Sequence, residues 1–140
     1  MLAVDSSSVL AQRMVRWELG PQVYALSGDR DAFGGGLYGA WRGGTRTRIS
    51  LFAGAGGSGG TTVGRGEFLA HFLLTPQQRN GVGVYVAGGI GLDVVSDATA
   101  SWVVATLGAE GSPAASAGWV LEGGVGGGWR VAAGWRWRWR

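Results

Sequence analysis

The last seven residues, "GWRWRWR" (134–140), alternate the largest apolar side chain with a permanently charged one. Successive side chains of a β-strand point to opposite faces, so the tryptophans would share one face and the arginines the other. Two other interpretations are a cationic membrane-active tail and an arm that binds nucleic acid by stacking and charge. Both need the two residue types on one accessible surface or in a disordered segment. The rest of the chain favours the strand.

Composition narrows the function classes. The 140 residues fit one domain, and hydrophobic residues make up 46% while charged residues make up only 15%. The net charge of +3 is small and there is no basic block, which argues against a nucleic-acid partner. Cysteine is absent, so disulfides and thiolate metal sites are excluded, and we expect no metal and no cofactor.

Short runs of alternating apolar and polar residues, separated by glycine-rich or polar turns, predict β-strands along most of the chain. No apolar run reaches the ~18 residues that a transmembrane helix needs. Most of the predicted strands are near the ~9–11 residues of a tilted membrane-spanning strand. We predict eight strands, over residues 14–26, 33–42, 45–55, 64–74, 82–94, 101–110, 118–126 and 129–139.

In these strands nearly every charge falls on one face, and the other face is almost wholly apolar. The alternation alone does not say which face points outward, because soluble and membrane barrels share it. The positions of the tryptophans indicate which face points outward. In an up-and-down order, Trp17, Trp41, Trp119, Trp137 and Trp139 reach the same end of the barrel on the apolar face, where a membrane interface favours indole. Trp135 lies on this face too and joins the predicted interface set.

The alternation, the glycine-rich hairpins and the aromatic last strand "GWRVAAGWRWRWR" (128–140) resemble small bacterial outer-membrane β-barrels of the OmpA/OmpX kind, over residues 13–139. The resemblance implies an all-β fold: a closed antiparallel up-and-down transmembrane barrel of about eight strands. It also implies the outer membrane as location, the lipid bilayer as partner, and recognition of the C-terminal strand by the barrel-assembly machinery. We expect a monomer, with residues 1–12 as an N-terminal extension and 13–140 as the barrel domain; no signal peptide is evident in the given chain.

An eight-stranded barrel is just wide enough to be filled by side chains, so the charged faces predict a paired, side-chain-filled lumen. Register arithmetic places Glu18 opposite Arg42, with Arg136 or Arg138 on its other side, and makes Glu122 and Arg130 diagonal neighbours. The predicted lumen network comprises Arg16, Glu18, Arg42, Arg46, Arg48, Arg65, Glu67, His71, Asp93, Glu110, Glu122, Arg130, Arg136 and Arg138. This pattern favours a structural plug over a selective pore.

Three alternatives remain open at this point. A soluble up-and-down barrel would bind a small apolar ligand in its mouth. A lipid-modifying barrel enzyme would use His71, although no serine or acid is convincingly placed to complete a catalytic set. The stretch "GAGGSGG" (54–60) contains G-x-G-x-x-G, but an acid at the spacing of a dinucleotide site is missing, so we interpret it as a hairpin loop. We therefore expect a protein that is not an enzyme, with a structural, surface or minor-pore role.

Overall fold

A computed structural model describes residues 16–28, 31–44, 46–75, 81–96, 98–113 and 115–139. It confirms the predicted fold class: eight antiparallel strands form one closed barrel in sequence order. The strands are β1 (Trp17–Ser27), β2 (Ala32–Arg42), β3 (Thr47–Ser58), β4 (Thr61–Leu73), β5 (Val82–Val95), β6 (Ala98–Gly111), β7 (Ala117–Val125) and β8 (Trp129–Trp139). Within these ranges no helix has the length and apolar character needed to cross a membrane.

Closure depends on the pairing of the first and last strands. Trp17 faces Trp139 and Ser27 faces Trp129, so β1 and β8 are paired at both ends. The ladder is interrupted at Gly20 and Pro21, where proline has no N–H to donate. We call the end of the barrel that carries Trp17 and Trp139 the terminal end, and the opposite one the turn end. The connections at the turn end are short, and the longest one, residues 74–81, lies at the terminal end.

Two hairpins extend further than the sequence predicts. The stretch 54–60 is not a loop, because β3 continues to Ser58 and β4 begins at Thr61. Only Gly59 and Gly60 form the turn, and both have positive φ (57° and 84°), as a two-residue type I′ hairpin turn requires. Strand β6 begins at Ala98 rather than 101, since it stays paired with β5 up to Val95. The predicted extension, residues 1–12, lies outside the described residues.

The two faces of the wall have inverted polarity relative to a soluble barrel. Large apolar side chains on the outer face are exposed, with Phe33 at 68%, Leu51 at 60% and Leu37 at 63%. The inner face buries arginine instead: Arg48, Arg130 and Arg136 are each 1% exposed. In water such an apolar wall would be a severe liability, because soluble monomers rarely expose large contiguous apolar patches.

The inner face also holds two apolar clusters between the charges. One is built around Tyr24, Tyr38 and Phe52, and the other around Leu69, Tyr85 and Val104. Tyr24 and Phe52 meet edge to face with ring centroids 5.8 Å apart, a favoured aromatic geometry. The interior is therefore a packed core that mixes aromatic rings with charged groups.

Inward glycines make room for these large side chains, and Gly108 provides a test. A Cβ built at Gly108 would collide with the ring of Tyr85, whereas one at the neighbouring Gly123 would meet no atom within 4 Å. We expect Gly108→Ala to lower the free energy of unfolding by about 1–3 kcal/mol through overpacking. The matched variant Gly123→Ala should leave it unchanged or raise it by about 0.4–1 kcal/mol, since the unfolded chain loses freedom.

Urea unfolding of the two variants in the same detergent measures this difference. Equal stability of Gly108→Ala and Gly123→Ala would contradict the packing of Tyr85 against Gly108.

Candidate functional site in the barrel interior

A closed ring of alternating charges spans the lumen near the terminal end. Arg48 Nη1 donates to Glu18 Oε2 at 2.8 Å and to Glu110 Oε2 at 3.0 Å. Arg138 Nε donates to Glu18 Oε1 at 3.3 Å, and its Nη2 lies 3.8 Å from Glu110 Oε2. We call these four residues the terminal cluster. It joins β1, β3, β6 and β8 across the interior, and it therefore connects the paired strands β1 and β8 to β3 and β6, with which they do not pair.

A second network, the turn-side cluster, consists of Arg65, Glu67, Asp93, Glu122 and Arg130. Glu67 lies at its centre: it accepts two bonds from Arg130, at 2.8 and 2.6 Å, and one from Arg65 Nε at 2.9 Å. Arg65 Nη1 also donates to both oxygens of Asp93, at 2.9 and 3.2 Å. The Arg130–Glu67 pair is bidentate, with two nitrogens bonded to two oxygens, and such pairs combine strength with fixed geometry.

The turn-side cluster extends to a tyrosine. Arg130 Nη1 donates to Glu122 Oε1 at 3.1 Å, and the hydroxyl of Tyr85 donates to the other oxygen of Glu122. The ring of Tyr85 lies against the guanidinium of Arg48, 4.7 Å from ring centroid to Cζ. Tyr85 therefore connects the two clusters, although the predicted lumen network did not include it.

Arg136 lies apart from both carboxylate clusters. Its Nη2 donates to the Gln22 side-chain oxygen at 2.6 Å, and its guanidinium stacks on the Tyr38 ring at 3.5 Å from the centroid. A cation over an aromatic face is attracted to the ring, which offsets part of the cost of burying the charge. Gln22 was missed as a site residue, since only charged groups were used to build the predicted network.

The structure places most of the predicted lumen residues in the interior, and it departs from the prediction at three of them. The residues in the two clusters, together with His71 and Arg136, point inward. Arg16 and Arg46 are exposed at the terminal end, and Arg46 lies over the outward ring of Phe72, 5.9 Å from its centroid. By strand alternation both are on the inward-facing side, but they precede the first residues of β1 and β3, so their side chains do not reach the lumen.

Arg42 is the third departure. It is half-buried at the terminal end, and Glu18 is bonded to Arg48 and Arg138 rather than to Arg42. The register explains this, because the residue that faces Glu18 on β2 is Ala40. On the other side Arg138, not Arg136, faces Glu18. The predicted neighbourhood of Glu122 and Arg130 is present at 3.1 Å.

His71 has a serine partner, Ser50, that was not predicted from the sequence. Its Nε2 lies 2.7 Å from Ser50 Oγ, and its Nδ1 lies 3.2 Å from Arg48 Nη2. Arginine only donates, so Nδ1 accepts and the imidazole proton lies on Nε2 and points to Ser50. A catalytic base would instead accept the serine proton at this nitrogen. Ser50 and His71 are also each 2% exposed, so the pair is arranged for structure rather than for nucleophilic attack.

The described residues contain no group of three or more His, Cys, Asp or Glu side chains that could hold a metal ion. The interior carboxylates are instead bonded to arginine or tyrosine. They have little remaining capacity to bind a cation.

The predicted interface tryptophans are all on the outer wall, between 42% and 55% exposed. Trp17 faces Trp41 on β2 and Trp139 on β8, while Trp119 faces Trp135 across β7 and β8. The six residues thus occupy four adjacent strands, β7, β8, β1 and β2. They form an arc on one side of the barrel rather than a complete ring, and we call it the tryptophan arc.

Comparison with known proteins adds the fold relatives. No protein-family model matches the chain, and no curated protein matches it. The N-terminal β-barrel domain of Pseudomonas aeruginosa OprF is similar in structure, with a TM-score of 0.63, 14% identity, and coverage of 90% of this chain and 100% of that one. The de novo designed protein TMB2.3 has a TM-score of 0.58 and 14% identity, covering 92% of this chain and 98% of that one.

This chain has the fold of the small outer-membrane barrels. The likeness extends over nearly the whole of both neighbours, and it agrees with the closed eight-stranded topology. Both neighbours are transmembrane β-barrels.

Glu67 provides a direct test of the network. Glu67→Gln removes the carboxylate that the buried guanidinium groups of Arg65 and Arg130 share. Breaking a buried ion pair in this way costs about 3–5 kcal/mol. We expect the free energy of unfolding to fall by that amount in urea titrations. Asp31→Asn, at an exposed position of the turn end, removes the same charge and should leave stability nearly unchanged. A similar effect of the two variants would contradict the central position of Glu67.

Proposed function

We propose that this chain is a bacterial outer-membrane β-barrel with a structural or surface role, anchored in lipid by its outer wall and closed inside by its two charge clusters. The observation that carries the proposal is the inverted polarity. Apolar side chains cover the outside, and the interior buries arginine and carboxylate groups. Lipid is the solvent in which this arrangement is favourable, because the wall needs no water and the closure of β1 on β8 pairs the strands along the wall. Among the described residues, the first part of β6, at the turn end, lacks a partner on its β7 side.

The dimensions support the same proposal. The strands contain 9 to 14 residues, which suits a tilted crossing of the bilayer core. The tryptophan arc and the exposed Arg16 and Arg46 lie at the terminal end, where indole and guanidinium groups suit the headgroup region. We propose that residues 13–140 form the membrane domain and that the barrel is a monomer. We also propose that the assembly machinery recognises β8, whose outward residues are aromatic near its end.

Two alternative functions have less support. A soluble barrel would have to keep Phe33, Leu51 and Val103, which are 60–78% exposed, in water. A lipid-modifying enzyme based on His71 would need an accessible nucleophile, and Ser50 is 2% exposed. A minor-pore role is opposed by the packing of Arg48, Arg130 and Arg136 within the lumen.

Membrane insertion is tested by folding the purified chain into phospholipid vesicles. We expect a β-type circular dichroism spectrum, protection from protease, and different gel positions for boiled and unboiled samples. These changes report a closed barrel that persists until heated. A chain that is monomeric and folded in detergent-free buffer would disprove membrane insertion.

Conductance tests the closed lumen. We expect the wild-type barrel in a planar lipid bilayer to show no single-channel steps above background, because the clusters fill its cross-section. The double variant Glu67→Ala/Arg130→Ala removes the side chains that meet across the turn-side half and should open small steps. Leu51→Ala, a truncation on the outer wall, serves as the control and should stay closed. Clear channel steps from the wild type would contradict the plug.

A further inference from the structure

The wall of the barrel has a gap beside β6 at the turn end. Strand β6 begins at Ala98, but its first pair with β7 is Ala105 with Val125. On the side facing β7, the segment Ala98–Val104 therefore has no partner strand among the described residues. By contrast, β8 and β1 remain paired up to Trp129 and Ser27, the residues at which they begin and end. Unpaired N–H and C=O groups along such an edge are available for hydrogen bonds.

A cavity of about 850 Å³ opens at this gap. Its walls are mainly apolar and include Leu26, Val63, Val95, Ala100 and Trp102. This volume falls within the ~300–1,000 Å³ range of sites that hold small molecules. One side of the cavity is formed by the glycine turn Gly126–Gly128. These residues have no side chains that could close the cavity.

The cavity reaches the outer wall through the gap. Val103 and Trp129 also line it, and they are among the most exposed apolar residues, at 78% and 72%. An apolar surface thus continues from the lipid-facing side of the barrel into the mouth. A ligand that already resides in the bilayer is therefore able to enter sideways through the gap.

The floor of the cavity selects against anions. Asp93 lies there, and its carboxylate accepts bonds from Arg65 and, at 2.8 Å, from Trp102 Nε1. Arg65 also bonds Glu67 and the backbone oxygen of Gly126, so its guanidinium is already engaged. The described floor residues therefore offer no unpaired cation, and an added carboxylate or phosphate would lie beside the carboxylate of Asp93.

We propose that this mouth cavity binds the chain of a neutral single-chain amphiphile drawn from the surrounding bilayer. The acyl chain packs against Leu26, Val63 and Trp102, and a hydroxyl or ester head bonds the open backbone of Ala98–Val104. The proposal rests on membrane insertion, and insertion is checked independently by the gel shift and protease protection of the same sample. Loss of binding with intact insertion would therefore overturn this inference alone.

The test uses solution NMR of the full chain in nanodiscs of chain-deuterated phosphatidylcholine, with protonated monolauroylglycerol as the probe. We expect a saturable shift of the Trp102 indole signal and nuclear Overhauser contacts from probe methylenes to the methyl groups of Val63 and Val95. A second nanodisc, made of protonated phosphatidylcholine without probe, distinguishes a phospholipid chain from the monoglyceride. Contacts of equal strength there would overturn the preference for a single-chain ligand.

Two variants of neighbouring residues control for partition into the bilayer. Ala100→Phe fills the cavity and should reduce the fitted affinity at least tenfold, while Ser101→Phe adds the same ring on the opposite face of β6 and should leave it unchanged. Lauric acid, at a pH where it is ionised, should bind at least tenfold more weakly than the monoglyceride. A shift that never saturates, or is equal in both variants, would overturn the proposal. So would shifts confined to the backbone amides of Thr99–Val103, which would indicate strand pairing with a second chain.

Discussion

The bonds between Arg130 and Glu67 across the lumen are the interaction on which the rest of the structure depends. Both groups are almost fully buried, and a lone charge in that position would cost several kcal/mol. Their pairing allows polar strand faces to point inward, and inward polar faces leave only apolar side chains for the wall. The same pair joins β4 to β8, strands that lie on different sides of the barrel. Because the charged side chains are paired inside the barrel, the outer wall of this chain can consist of apolar side chains.

The interior is organised as two charge clusters separated by aromatic rings. Arg48, Arg130 and their partners are held within hydrogen-bond distance, and Tyr85 contacts both clusters. Inward-facing glycines leave space for these large groups. For example, a side chain at Gly108 would occupy the space of Tyr85. The high glycine content, 29 residues, is thus explained in part by the bulk of the arginines and tyrosines that must fit inside.

The sequence was sufficient to predict the fold because strand alternation and turn composition are local signals. Even the choice of outward face followed from residues such as Trp17 and Trp139, whose amphipathic ring has a preferred location. Partners across the lumen were harder to predict: Glu18 bonds Arg48, which lies on a strand that does not pair with β1. Such contacts depend on the stagger of all eight strands, and no short stretch of sequence encodes it.

Other features were missed for different reasons. The His71–Ser50 bond joins two polar residues of adjacent strands, and the direction of its proton depends on Arg48. The early start of β6, beyond the end of β7, was not predicted because "SDATA" (96–100) has the composition of a turn. Arg16 and Arg46 alternate in step with the lumen residues, but alternation does not predict at which residue a strand begins.

The tryptophan arc has a mechanical consequence for the orientation of the barrel. Indole groups on β7, β8, β1 and β2 hold one side of the terminal end at the level of the headgroups, and the opposite side carries none of the six. Anchors distributed so unevenly set the inclination of a membrane protein. We expect the cylinder axis to lean away from the bilayer normal, and the lipids next to β3–β6 to adjust their chain length more freely than those beside the anchored strands.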